Sequence, residues 1–172
     1  MSIDMIRNDN ITTSHQWHTL LVRARFERIV AGHLQEQKIQ HYLPLRQSSP
    51  RSEKDADEPL FPGYVFCKCD APETLWIIPG VLAVTRGTND IEAVSEREIT
   101  DVQRILAAGL QVQLWPFTPQ GRIVKINQGP LSGLVGNLED KGDNRFLVFP
   151  IHLVQKSIAL KADSLPRFRF AK

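Results

Sequence analysis

Ten consecutive residues, Gly109 to Thr118 (GLQVQLWPFT), carry no charge in a 172-residue chain whose charged fraction is 23%. The hydrophobic pattern before this strip differs from the pattern after it. Up to Ala108 the apolar spacing switches between strand and helix periods. From Gly121 it is strand-like throughout, and glycines cluster at Gly129, Gly133, Gly136 and Gly142. Charge divides at the same place. Residues 15–108 carry eleven Lys/Arg against thirteen Asp/Glu, a net −2, whereas residues 119–172 carry nine against four, a net +5. Two small units joined by a linker at 109–118 fit this length. The basic second unit hints at an acidic or nucleic-acid partner. Residues 1–14 (MSIDMIRNDNITTS) lack the basic start and apolar core of a secretory signal and read as a disordered tail. No apolar run approaches the roughly 18 residues that span a bilayer, so a cytoplasmic protein without membrane contact is expected.

In the first unit, Trp17 to Val22 (WHTLLV) reads as a buried strand. Phe26, Ile29, Val30 and Leu34 then fall at helical spacing, with Arg25, Glu27, Arg28, Gln35, Glu36 and Lys38 on the other sides. That is an amphipathic helix laid on a sheet, with His33 at the edge of its stripe. His41–Leu45 predicts a short strand. Residues 47–58 are polar, mix both charges and predict a mobile loop or hairpin tip. Leu60–Cys69 (LFPGYVFCKC) returns to strand character. Alternation puts Tyr64, Phe66 and Lys68 on one face and Val65, Cys67 and Cys69 on the other. Two apolar faces mean that both are buried, or that one waits for a partner.

Asp70-Ala-Pro-Glu73 predicts a short helix ending before Pro79-Gly80, and Val81–Thr85 another strand. Gly87–Asp90 predicts a turn. Ser95 and Glu98 form a capping-box pattern, Val94 can staple onto Ile99, and the stripe continues through Val102 and Leu106. The order β-α-β-β-α-β-α defines an α+β unit with a mainly antiparallel sheet and flanking helices. In the second unit, strands are predicted at Arg122–Asn127, Leu134–Glu139, Arg145–Ile151, Lys156–Leu160 and Ser164–Phe168. Turns at Gln128-Gly-Pro130 and Lys141-Gly-Asp-Asn144 separate the first three. Five short strands in so few residues fit an all-β small barrel.

Chemistry-bearing residues are sparse. Cys67 and Cys69 point the same way on a strand, a poor geometry for a disulfide. His15, His18, His33, His41 and His152 show no metal-ligand spacing around them, so buried structural thiols are expected. No nucleophile–base set can be assembled, and no phosphate-cradling Gly loop precedes a helix. Neither an enzyme nor a cofactor is expected.

Val124-Lys-Ile-Asn-Gln-Gly-Pro-Leu-Ser-Gly-Leu-Val-Gly136 closely resembles a KOW motif, with Lys125, Asn127, Gly129, Gly133 and Gly136 at its characteristic places. Upstream, Trp17, then Phe61-Pro-Gly-Tyr-Val65, then Thr85-Arg-Gly-Thr-Asn89 and a Ser-x-x-Glu helix resemble the N-terminal (NGN) domain of the NusG family of transcription elongation factors. Order and spacing agree from about residue 15 to 170. Pro59–Phe66 looks particularly like the specialised paralogues of the RfaH and polysaccharide-operon antiterminator type.

The resemblance implies an NGN domain at 15–108, a linker at 109–118 and a KOW domain at 119–172. It also implies a monomeric factor that grips the β′ clamp helices of RNA polymerase through an apolar depression and reaches towards the β subunit. Carried onto this chain, the clamp-facing residues are Leu21, Phe61, Tyr64 and Phe66. Arg23, Arg25 and His33 correspond to residues that touch the non-template DNA strand. Val154, Gln155 and Lys156 stand where the KOW domain recruits ribosomal protein S10 or Rho. The chain departs from the pattern at Pro72–Trp76, which lacks a His-Thr-Thr run, and at Val154–Lys156, which lacks an aromatic hairpin tip. The implied function is pause suppression and antitermination on particular operons. A general NusG coupled to Rho or the ribosome, and a ribosome-associated RNA-binding KOW protein, are the competing readings.

Overall fold

The computed structural model describes residues 16–47, 57–85, 95–165 and 168–170. The expected tail, most of the 47–58 loop, the Gly87–Asp90 turn and the Val94 staple lie outside the described residues.

The first unit is built on strand β1 (Gln16–Val22), helix α1 (Glu27–Glu36), β2 (Gln40–Tyr42), β3 (Leu45–Arg46), β4 (Glu58–Pro59), β5 (Tyr64–Cys69), β6 (Val81–Thr85) and α2 (Glu96–Ala107). The expected short helix before Pro79-Gly80 is a 3-10 helix at Pro72–Ile77. The main sheet has the order β2-β5-β1-β6, and every pairing in it is antiparallel. β3 and β4 form a separate ribbon at the base of the polar loop.

The period-2 alternation of β1 and β5 sorts their side chains onto two faces. Leu20, Val22, Val65 and Cys67 pack beneath Val30 and Leu34 of α1 and Leu75 of the 3-10 helix. The other face carries Trp17 and Phe66, buried with Ile99, Val102 and Ile105 of α2. Both faces of β5 are thus covered by this chain. Cys67 and Cys69 are free thiols, and burial pushes the pKa of each up.

Three details depart from the periodic reading. Ile29, assigned to the stripe of α1, is half exposed, while Glu27, assigned to the polar side, is buried. In α2 the third fully buried residue is Ile105, with Leu106 only half-buried. Ser95 occupies the N-cap of α2 without a side-chain cap bond: the Glu98 N–H donates to the Ser95 carbonyl oxygen instead, and the Glu98 carboxylate accepts from His152 N–H.

The second unit contains β7 (Val112–Pro116), β8 (Arg122–Ile126), β9 (Val135–Lys141), β10 (Asn144–Ile151), β11 (Lys156–Lys161) and β12 (Phe168–Phe170). They form one antiparallel sheet of order β12-β8-β9-β10-β11-β7. Two predictions are corrected here. The last strand lies at Phe168–Phe170, because Ala162–Ser164 turns as a 3-10 segment. Half of the uncharged strip is itself a strand, since Val112–Pro116 can pair along the edge of β11. At Gly136 an added Cβ would stand 2.9 Å from the Val148 carbonyl oxygen, so only glycine lets β9 and β10 approach there.

α2 joins the two units. Its buried residues belong to one apolar cluster with Val124, Ile126, Leu131, Leu134 and Leu147 of the second sheet. That second neighbour draws Ile105 fully inside. Among the described residues, no helix is long and apolar enough to cross a membrane.

Candidate functional site

The Phe61-Pro-Gly-Tyr64 turn enters β5 under tight backbone control. Leu60 N–H donates to Pro44 O and Val22 N–H to Gly63 O, each at 2.8 Å. Gly63 adopts φ +85, a left-handed conformation that side chains disfavour. Its N–H donates to the Glu27 carboxylate Oε1 at 2.8 Å. The buried Glu27 therefore has a clear role: it satisfies a donor in the turn and ties α1 to the aromatic segment. Sequence spacing offered no signal for this, since glutamate near a helix start is ordinary.

Around the turn, Phe61 meets Phe66 edge-on at 6.3 Å, and Tyr42 stacks on Phe66 at 6.5 Å. Burial pushes the Tyr42 hydroxyl pKa up to about 12. Phe61 and Phe66 are 1% and 0% exposed. Leu21 and Tyr64 are directly paired across β1 and β5 and stay half-buried. Of the four candidate clamp-facing residues, this pair alone keeps a foothold at the surface. Phe61 and Phe66 lie in the cluster shared with α2 and the second sheet.

At the far end of the same sheet face, Trp17 is buried with its indole N–H unpartnered among the described residues. Lys68 stands 6.0 Å over that ring and pairs with Glu96 at 2.9 Å.

Arg23 and Arg25 are both exposed on the turn between β1 and α1, Arg25 with φ +69 and Arg23 over the Phe26 ring at 5.4 Å. His33 sits further along α1, 3.6 Å from Glu36. The two arginines thus share one exposed turn, whereas the histidine lies on the helix that follows it.

In the second unit, Lys125 and Asn127 are exposed, and Gly129 and Gly133 carry the turn into β9, with Gly133 N–H donating to Ile126 O at 2.8 Å. Val154 is buried, whereas Gln155 (φ +50) and Lys156 are exposed at the start of β11. These two turns face α2. Arg104 donates to Pro130 O at 2.9 Å and Ser132 O at 2.6 Å, and Glu98 accepts the His152 N–H at 2.9 Å. Asp101 lies on α2 between Glu98 and Arg104, and burial raises its pKa against the opposing pull of Arg97 and Arg104. Sequence reading missed Glu98, Arg104 and His152 as a contact set, because nothing local couples residues 54 positions apart.

The first unit is thus an α+β sandwich with a two-faced β5, a glycine turn clamped by α1 and an aromatic nest beside it. The family model described as transcription termination factor NusG matches residues 15–103. The chain belongs to the NusG family, a family of transcription factors. It shares its fold with Thermotoga maritima NusG in a structure of that protein's domain interaction. There the identity is 20%, the match covers 84% of this chain and 92% of that one, and the TM-score is 0.51. Two conformations of the MjSpt4:Spt5 complex match at 17% and 16% identity. They cover 91% and 90% of this chain and 99% and 97% of theirs, with TM-scores of 0.29 and 0.30, too low to bear on the fold. No curated protein matches the chain.

Proposed function

We propose that this chain is a specialised elongation factor of the RfaH and polysaccharide-operon type, with an NGN domain at 15–108 and a KOW barrel at 119–172. It binds RNA polymerase in the cytoplasm, suppresses pausing and promotes antitermination on particular operons. The observation that carries this reading is the Leu21–Tyr64 pair, half-open beside the Phe61–Phe66 nest and next to a turn fixed by the Leu60, Val22 and Gly63 N–H groups. Aromatic anchors around an apolar hollow are the usual hot-spot chemistry. A clamp helix of the β′ subunit is the occupant, and the 3-10 helix at Pro72–Ile77 faces the β subunit.

Binding favours the closed clamp by its differential affinity for that state, so the factor changes elongation without catalysing a step. Arg23 and Arg25 supply phosphate contacts to the non-template strand, which makes binding salt-sensitive. His33 plays a lesser part in them. The barrel recruits S10 or Rho through the Val154–Lys156 turn.

In the arrangement seen, the second sheet shares the apolar cluster that contains Phe61 and Phe66. A clamp helix that reaches those rings must displace the barrel from α2. Purified polymerase on a template with one pause and one terminator tests the reading. The chain should shorten the pause and raise read-through. An unchanged pause lifetime with the chain demonstrably bound would contradict it.

A further inference from the structure

The uncharged strip does more than connect. β7 pairs with β11 in the register Val112↔Leu160 to Pro116↔Lys156 and forms an outer edge of the second sheet. β10 is buried on both faces. Leu147 and Phe149 point into the main cluster, while Phe146 and Val148 join Ala159 in a separate apolar cluster on the opposite face. Trp115 covers that second cluster, 4.9 Å from the Phe146 ring. Its indole N–H donates to Glu139 Oε2 at 2.9 Å, and Lys141 Nζ stands 4.5 Å over its ring. The chain then crosses the same face: Thr118 N–H donates to Ser157 Oγ at 3.1 Å, and Asn137 Nδ2 donates to Thr118 O at 3.0 Å.

Residues 112–118 are therefore a strap over a preformed groove. The groove has an apolar floor (Phe146, Val148, Ala159), an acceptor and a cation placed for an indole, and the main-chain edge of β11 beside them. The strap leaves part of itself open to solvent and one acceptor of the groove unused. Gln113, Leu114 and Pro116 are exposed, and Glu139 Oε1 is buried with no hydrogen-bond partner among the described residues. A ligand with a second donor would satisfy that oxygen, which the strap does not. Segments with exposed backbone bonds and few buried contacts open locally at low cost, and a free strand edge accepts a further strand.

We propose that the groove on β9–β11 is a docking site for an extended strand of a partner protein carrying a tryptophan-like aromatic, and that the strap is its displaceable internal occupant. This site is independent of the polymerase-binding reading. Its position gives it a consequence. With β7 annealed, only residues 108–111 separate α2 from the second sheet, a reach of at most about 14 Å at ~3.5 Å per residue. With the strap released, the free tether runs over 108–121 and reaches roughly 50 Å at the same rise. Strand capture and separation of the two units are then reciprocally coupled.

The test uses the full chain and a fluorescent peptide of residues 111–118 (QVQLWPFT) as the probe strand. Gln113→Pro/Leu114→Pro removes two successive N–H groups, one of which must face β11, and so frees the groove. The variant should bind the peptide at least tenfold more tightly than wild type, and its radius of gyration should exceed that of wild type. The same peptide N-methylated at Gln113 and Leu114 should not bind. Trp115→Ala, which empties the aromatic slot and keeps the ladder, gives the same comparison if the double proline unfolds the sheet. Equal peptide affinity for folded variant and wild type would overturn the groove. Binding of the N-methylated peptide would overturn strand addition, and an unchanged radius of gyration would overturn the coupling. Dimerisation of wild type by exchange of β7 would assign the groove to a second copy and overturn the partner. None of these readings involves polymerase, so a failure of polymerase binding is recognised separately.

Discussion

Glu98 on α2 takes two contacts from one residue of the second unit, in the 3-10 turn that follows β10. His152 donates its backbone N–H to Glu98 Oε1 at 2.9 Å, and its ring Nδ1 lies 2.8 Å from the same oxygen. Phe117 stands edge-on to the same ring at 5.2 Å, so the strap leads directly into this contact. Together with Arg104 at Pro130 and Ser132, Glu98 fixes the second unit against the helix that covers the aromatic nest.

Removing both anchors loosens the docking without touching either core. Glu98→Ala/Arg104→Ala forfeits hydrogen bonds worth about 1 kcal/mol each. A coupling of roughly 1–3 kcal/mol corresponds to about 5- to 150-fold in the docking equilibrium. Small-angle scattering should show a more extended chain, and polymerase affinity should rise. Unaltered dimensions would mean that the apolar cluster alone sets the docking.

Asp101 predicts a pH effect of definite sign. Burial raises its pKa above the ordinary value of 3.8, so the folded protein holds this proton more tightly than the unfolded chain does. Its contribution to stability is fully present below 3.8 and is lost as pH rises through the raised value. Asp101→Asn should therefore stabilise the protein at neutral pH, with the gain shrinking towards zero as pH falls below 3.8. Urea midpoints of both proteins at the two pH extremes check this. A variant less stable at neutral pH would show that the Arg97 and Arg104 pairs outweigh desolvation.

Glu27 should separate from an ordinary surface glutamate on substitution. Glu27→Ala leaves the Gly63 N–H without its acceptor, which costs about 1–3 kcal/mol for a buried donor. Glu27→Gln keeps an acceptor and should recover most of that loss. Chemical denaturation orders the three proteins. Equal loss in both variants would place the role in the charge rather than the hydrogen bond.

Periodicity made much of the fold legible, because α1, β1, β5 and the β8–β11 meander each pack locally on a near neighbour. Val30 and Leu34, and the alternation of Val65, Phe66 and Cys67, follow from spacing alone. The site was legible only in part. The Phe61–Phe66 segment was found through its family resemblance, but two of its rings lie inside, because α2 and the second sheet close over a face that spacing leaves open. Glu27 escaped notice because its partner is a backbone N–H 36 residues away. Residues 114–117 are apolar enough to pin the linker to a domain, but spacing alone does not tell a free segment from an annealed one.

The central claim is that the half-open face at Leu21 and Tyr64 grips RNA polymerase, and co-purification with the polymerase tests it directly. Wild type should be compared with Leu21→Glu/Tyr64→Ala, whose positions are half-buried, rather than with a variant of Phe66. Truncating that fully buried ring would cost about 3–5 kcal/mol and confound binding with folding. Wild type should retain polymerase, and the double variant, with an unchanged melting temperature, should lose it. Equal retention by a folded double variant would contradict the account.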